Sequence, residues 1–244
     1  MRCAAVILSG GAGRRMGTRT PKQYIDLEGK PVLYYSLKTF SDMDFIDELI
    51  IVAADEYIDK VQKEIVDLYG FYKVSAVIPG GKERYHSVAR GLERISGGTD
   101  YAFIHDGARP FVSSYTIERC LHYVKKYRAA VAAVKSKDTI KLADDDNMVK
   151  TTPDRAHVWQ VQTPQVFEYL LIRDAYRRLL DDEDRLRDAG ISVTDDTMVA
   201  KMYADVDARL VESTYDNIKI TTPEDIEYAK MVIKLRNKKA EKMC

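Results

Sequence analysis

Cysteine is scarce in this chain. Cys3, Cys120 and Cys244 are odd in number and widely separated, which argues against a disulfide framework and for a reducing compartment. Histidine is nearly as rare, and His86, His105, His122 and His157 form no Cys/His set with zinc spacing. Excess charge of either sign is missing as well: Lys and Arg total 38, Asp and Glu total 38, so nothing global directs the chain to nucleic acid or to a membrane surface. No apolar run approaches the roughly 18 residues of a membrane helix, and the N-terminal segment lacks the hydrophobic stretch of a secretory signal. The expectation is a soluble cytoplasmic protein with no nucleic-acid or membrane partner. Two phosphate signatures are also missing. No Gly-Lys-Ser/Thr occurs, which sets aside a P-loop. Counting from Gly11 and Gly13, Met16 stands where a dinucleotide fingerprint needs its third glycine, and Asp55 comes too late to serve as the ribose acid, which sets aside a nicotinamide dehydrogenase.

What the chain does have is alternation. Its 244 residues suffice for one large α/β domain spanning 1–244. Ala4 to Leu8, Leu49 to Ala53, Val74 to Ile78, Tyr101 to His105 and Ala129 to Val134 are short runs rich in apolar residues throughout, as in strands covered on both faces. Helical spacing separates them: Leu33, Leu37 and Phe40 follow Pro31, and Ile58, Val61, Ile65 and Leu68 repeat in the next interval. The alternation predicts a doubly wound, mainly parallel sheet with its ligands beyond the carboxyl ends of the strands. Residues 136–156 break the pattern. Thr139 to Leu142 and Met148 to Thr152 flank the polar Asp144-Asp145-Asp146-Asn147, which predicts a protruding β-hairpin arm. A two-stranded ribbon is marginal alone, so it is either a mobile surface hairpin or a dimerisation arm packed on a symmetric partner. A strand at Arg209 to Glu212, a second short one carrying Lys219, and a helix opened by Thr222-Pro223-Glu224-Asp225 complete the reading.

Chemistry gathers where predicted strands end. The first breaks into Ser9-Gly10-Gly11-Ala12-Gly13-Arg14-Arg15-Met16, with Pro21-Lys22-Gln23 shortly after. Glycines allow close backbone approach to an anion, and Arg15 and Lys22 add full positive charge, a combination suited to a ligand with several phosphates; an ordinary glycine-rich turn is the competing account. Pro79-Gly80-Gly81-Lys82-Glu83-Arg84, with Ser87 beyond, offers backbone donors and a hydroxyl to a nucleobase edge, or is simply a turn and helix cap. His105-Asp106-Gly107-Ala108-Arg109-Pro110 places an acid suited to Mg²⁺ beside an arginine suited to phosphate, or an ion pair that stabilises a turn; His105 itself reads as a packing residue. Arg155 and Lys219 gain interest only if they converge on the same place.

Gly10 to Met16 with Pro21-Lys22-Gln23, Gly80 to Val88, His105 to Pro110, Asp138-Thr139-Ile140-Lys141, Gln162-Thr163-Pro164-Gln165 and Asn217-Ile218-Lys219 together resemble the 2-C-methyl-D-erythritol 4-phosphate cytidylyltransferases, in order and spacing over nearly the whole chain. The resemblance implies a Rossmann-like, doubly wound mixed sheet of the nucleotide-diphospho-sugar transferase type, a homodimer whose arms reach the partner's site, and transfer of a cytidylyl group from CTP to a polyol phosphate with Mg²⁺ as cofactor. It implies catalytic charge from Arg15, Lys22 and Lys219, CTP held by Gly10, Gly11, Gly81, Lys82 and Ser87, Asp106 at the metal and sugar, and acceptor binding by Arg109, Thr139 and Arg155, the last two from the partner's arm. Ser9-Gly10-Gly11, Gly17 and Phe111 resemble instead the ribitol 5-phosphate cytidylyltransferases, whereas Tyr24, Lys141 and Val158-Trp159 resemble the methylerythritol group. Ribitol 5-phosphate is therefore the alternative acceptor. A noncatalytic nucleotide-binding module remains if Arg15 and Lys22 lie far apart.

Overall fold

A computed structural model of the chain describes residues 1–11 and 20–241. Strand β1 (Cys3–Ser9) is followed by a short hairpin, β2 (Asp26–Leu27) and β3 (Lys30–Pro31), and by helix α1 (Val32–Ser41). Next come β4 (Ile46–Ala53), α2 (Ile58–Val61), β5 (Val74–Pro79), α3 (Arg84–Arg94), β6 (Tyr101–Asp106), α4 (Ser114–Tyr127) and β7 (Ala129–Lys135). The arm supplies β8 (Leu142–Ala143) and β9 (Val149–Thr151), after which β10 (Trp159–Glu168) returns to the main sheet. The remainder is α5 (Tyr169–Asp181), α6 (Glu183–Asp188), α7 (Asp196–Ala204), β11 (Arg209–Glu212) and α8 (Pro223–Glu241).

The strand order β11-β7-β10-β6-β1-β4-β5 explains where a ligand sits. The chain winds outward from β1 through β4 to β5, all parallel, and then crosses back to lay β6 parallel on the other side of β1. Loops leaving β1 and β6 therefore diverge, and the crevice between their carboxyl ends is the topological switch point of the sheet. β10 runs antiparallel between β6 and β7, which makes the sheet mixed.

Period-two alternation builds the two cores. Cys3, Ala5 and Ile7 face Leu33, Leu37 and Phe40 of α1 and Ile117, Cys120 and Val124 of α4, whereas Ala4 and Val6 face Val88 and Leu92 of α3 and Ile172 and Tyr176 of α5. Both faces of β1 are dry, as its continuous apolar run requires. A third cluster packs Ile226, Ala229 and Val232 of α8 on Leu27, Val32, Phe111 and Ile220.

Four differences from the expected elements have physical causes. β4 starts at Ile46 rather than Leu49 because Glu48, polar in sequence, is buried and satisfied by the Ser75 and Ser96 hydroxyls and the Ser96 N–H. After α2 the helix continues as a π-helical stretch over Gln62–Asp67, which shifts the phase so that Ile65 and Val66 are buried while Leu68 faces solvent. In the arm only Leu142–Ala143 and Val149–Thr151 pair, while Thr139 to Lys141 form no ladder; Asp144 closes the turn by accepting from the N–H groups of Asp146 and Met148. Asn217 to Ile220 is not a strand: the Ile220 N–H bonds the Ala108 carbonyl, so this segment is pinned to the loop after β6 instead of to a sheet edge.

Candidate active site

The crevice at the switch point is a cleft of about 330 Å³ lined by Gly10, Gly11, Lys22, Gly81, Lys82, Ser87, Asp106 and Lys219, among others. Side-chain bonds fix its glycine loop. Gln23 Nε2 donates to the carbonyls of Ser9 (2.8 Å) and Gly11 (3.0 Å), and the Tyr24 hydroxyl bonds both the Ser9 carbonyl and Oγ. The turn Lys22–Tyr24 is thereby tied to the end of β1, and Lys22 is held in the cleft wall with 8% exposure. Arg15 lies outside the described residues.

The loop after β5 forms the opposite wall. Ser87 Oγ accepts from the Gly81 N–H at 3.0 Å, and Glu83 and His86 exchange bonds as a capping box at the start of α3. Glu183 at the start of α6 steadies this end, accepting from the Tyr85 hydroxyl at 2.8 Å and lying 3.2 Å from His86 Nε2. Lys82 is exposed at the rim.

Asp106 is the electrostatic centre. Lys219 Nζ lies 2.9 Å from its Oδ2, Arg109 Nε 3.6 Å from Oδ2 and Arg84 Nε 3.6 Å from Oδ1. Burial by itself would raise the carboxyl pKa, but Lys219, Arg84 and Arg109 outweigh it and hold the group well below the usual carboxylate range. Asp106 is thus a permanent anion among three cations. Lys219 reaches it because Asn217, fully buried, donates to Gln162 Oε1 and to the Thr163 carbonyl, while Arg109 Nη1 donates to the Asn217 carbonyl at 2.8 Å.

Beneath Asp106 runs a buried chain of hydrogen bonds. The Asp106 N–H donates to Thr163 Oγ1 (3.1 Å), which leaves the hydroxyl proton for His105 Nδ1 (2.9 Å) and puts the ring proton on Nε2, facing the Arg109 carbonyl at 3.2 Å. Complete burial pushes the His105 pKa down to about 4. The ring is therefore neutral in the fold and protonates more readily once unfolded, so its stabilisation is complete above the ordinary value near 6.5 and is lost as pH falls toward 4. Wild-type unfolding free energy should decline by about 3 kcal/mol over that window through this one group. Urea titrations at pH 7 and pH 4.5 should show the decline in the wild type and a shallower one in His105→Gln.

A neighbouring cleft shares Arg84, Asp106 and Lys219 and is lined further by Arg109, Gln162, Thr163, Gln165, Thr194 and Asp195. Lys22, Lys219, Gly10, Gly11, Gly81, Lys82, Ser87, Asp106 and Arg109 are thus brought around one double crevice. Thr139 and Arg155 are not: both are exposed on the arm, where Arg155 Nη1 donates to the Lys137 carbonyl. The supporting roles of Gln23, Thr163 and Asp196 leave no local signal in the sequence, nor does that of Arg84, although it lies within Gly80 to Val88. Among the described residues no group of three or more His, Cys, Asp or Glu side chains could by itself hold a metal ion, and no helix is long and apolar enough to cross a membrane.

What this crevice presents to a ligand is fixed positive charge at a glycine-lined switch point, which suits phosphate chemistry, and likeness to known proteins places the chain among the nucleotidyltransferases. The particular group follows from likeness. The family model described as 2-C-methyl-D-erythritol 4-phosphate cytidylyltransferase matches residues 3–235, and the chain belongs to that family. A Lachnospira eligens protein of that name is 47% identical over 230 residues, covering 94% of this chain and 98% of its own. One from Lachnoclostridium phytofermentans is 41% identical over 230 residues, covering 94% and 95%. The solved structure of 4-diphosphocytidyl-2C-methyl-D-erythritol synthase from Anaerococcus prevotii superposes with a TM-score of 0.83 at 33% identity, covering 96% of each chain.

Proposed function

We propose that the protein transfers the cytidylyl group of CTP to 2-C-methyl-D-erythritol 4-phosphate, giving 4-diphosphocytidyl-2-C-methyl-D-erythritol and pyrophosphate, a step of non-mevalonate isoprenoid synthesis. The observation that carries this reading is the convergence of Lys22 from the β1 loop, Lys219 from the segment before α8 and Asp106 from the end of β6 on one cleft. An oxygen of the acceptor's phosphate attacks the α-phosphorus, and the bond from that phosphorus to the bridging oxygen breaks to release pyrophosphate. The nucleophile is already anionic and needs no general base. The task is to align two polyanions and to stabilise charge at the α-phosphate and the leaving group, which Lys22, Lys219 and Arg15 perform. Gly10, Gly11, Gly81, Lys82 and Ser87 cradle CTP, and Arg109 serves the acceptor in the adjoining cleft.

Mg²⁺ fits this donor set. It takes one or two carboxylates and fills its shell with phosphate oxygens and water, and Asp106 is a permanently ionised carboxylate lining the cleft. Bound there with the triphosphate, the ion would neutralise phosphate charge. The test of the whole reading is pyrophosphate release from CTP and Mg²⁺, with methylerythritol phosphate and ribitol 5-phosphate offered in parallel. Release with the first acceptor is expected; release only with ribitol phosphate, or with neither, overturns it.

The arm supports a homodimer. Leu142, Met148 and Val149 are 52%, 65% and 58% exposed on a ribbon too small to be stable by itself. Pairing of two such arms would cover these side chains and bring Thr139 and Arg155 to the partner's acceptor cleft. Sedimentation at micromolar concentration should give a dimer that Val149→Asp dissociates. Arg155→Ala should raise the KM for the acceptor by about tenfold with that for CTP unchanged.

A further inference from the structure

Asp196 lies outside the nucleotide cleft, fully buried at the start of α7. β10 sets its position: Gln165 Oε1 accepts from the N–H groups of both Asp196 and Thr197 at 3.0 Å. The Asp196 carboxylate then occupies both prongs of the Arg84 guanidinium, Nη1 on Oδ1 at 2.6 Å and Nη2 on Oδ2 at 2.8 Å, and the Tyr176 hydroxyl from α5 donates to Oδ1 as well.

The consequence falls on Asp106. Arg84 lines both clefts, yet with its terminal nitrogens engaged it turns Nε toward Asp106 Oδ1 at 3.6 Å, longer than a hydrogen bond. Asp106 Oδ2 is meanwhile matched with Lys219 at 2.9 Å. A guanidinium fork binds a carboxylate bidentately far better than a single Nε does. Asp106 is the other carboxylate within ion-pair distance of Arg84, so removal of the Asp196 charge frees the fork beside it.

We propose that Asp196 is a positioning residue of the transfer site: by occupying the fork of Arg84 it prevents that arginine from capturing Asp106 and so keeps Asp106 for Lys219 and the bound substrates. The proposal rests on the reading of the cleft as the cytidylyl-transfer site. It differs from a purely structural buried ion pair, whose loss would lower stability while the Arg84 fork stayed clear of Asp106.

Three proteins decide it: wild type, Asp196→Asn, and the double variant Arg84→Met with Asp196→Asn, in which the pair is replaced without leaving a buried charge. Circular dichroism and thermal melting establish that each is folded. Asp196→Asn should lose roughly 30-fold in kcat/KM for the acceptor, and the double variant should recover to within about fivefold of wild type. A crystal structure of Asp196→Asn should show both terminal nitrogens of Arg84 on Asp106. A double variant no more active than the single one, or an Arg84 fork that stays away from Asp106, overturns the proposal. Should wild type release no pyrophosphate, the functional reading fails on its own, and the position of Arg84 in the Asp196→Asn crystal still decides this one.

Discussion

Lys22→Ala is expected to lower kcat by about 100-fold or more while the KM for CTP moves by less than about threefold. The asymmetry follows from where Lys22 sits. It is nearly buried in the cleft wall, on a short turn that Gln23 and Tyr24 fasten to the end of β1, so its position is fixed before substrate arrives. A preset charge costs no reorganisation at the moment of reaction, and a single well-placed donor is worth ~3 kcal/mol to a transition state. In the proposed complex CTP binding is shared among the glycine loop, the loop after β5 and Lys219, so losing one contact should weaken it little. Lys22→Met keeps the aliphatic packing and removes only the charge, so it should behave like alanine. Steady-state pyrophosphate release measures both constants, and unchanged turnover in either variant contradicts the role.

Gly81→Ala is expected to raise the KM for CTP by at least about tenfold and to lower the melting temperature by several degrees. A Cβ at Gly81 would stand 2.2 Å from the Cβ of His86, in the first turn of α3. That atom sits on the backbone, not at the tip of a flexible side chain, so the loop itself must move. The shift would break the bond from the Gly81 N–H to Ser87 Oγ and open the wall assigned to the nucleobase. Gly97→Ala is the control: open space surrounds its Cβ, and both readouts should stay at wild-type values. A Gly81→Ala protein with unchanged CTP kinetics would count against the assignment of this loop to CTP.

Legibility in the sequence varied with the length scale of the cause. The central strands could be read because their burial on both faces writes an uninterrupted apolar run, as in Val6-Ile7-Leu8 and Ala129 to Val134. β10 could not be read, since Gln160, Gln162, Thr163 and Pro164 carry the wrong chemistry for a buried strand. Those same polar groups are what the site needs: Thr163 serves Asp106 and His105, and Gln162 serves Asn217. The Asn217-Ile218-Lys219 motif points to Lys219, and the alternation of Ile218 and Ile220 around it predicts a strand; the partners that override this, the Ala108 carbonyl and Gln162, are distant in sequence. Asp196 gave no local signal. An aspartate at a helix start is ordinary capping chemistry, and only the fold reveals that its partner is Arg84.

The anchoring of Lys219 through Asn217 also sets a timetable. During synthesis β1, β4, β5 and β6 emerge first and can begin to pair, but Asp106 would then have no lysine from the late segment, and Arg109 no carbonyl from Asn217. A chain cut just before Asn217 would hold the glycine loop and most of the sheet, yet an incomplete charge cluster. The charge cluster is therefore complete only once the segment after β11 has been made, so a ribosome-bound chain can have paired its central strands and still lack it.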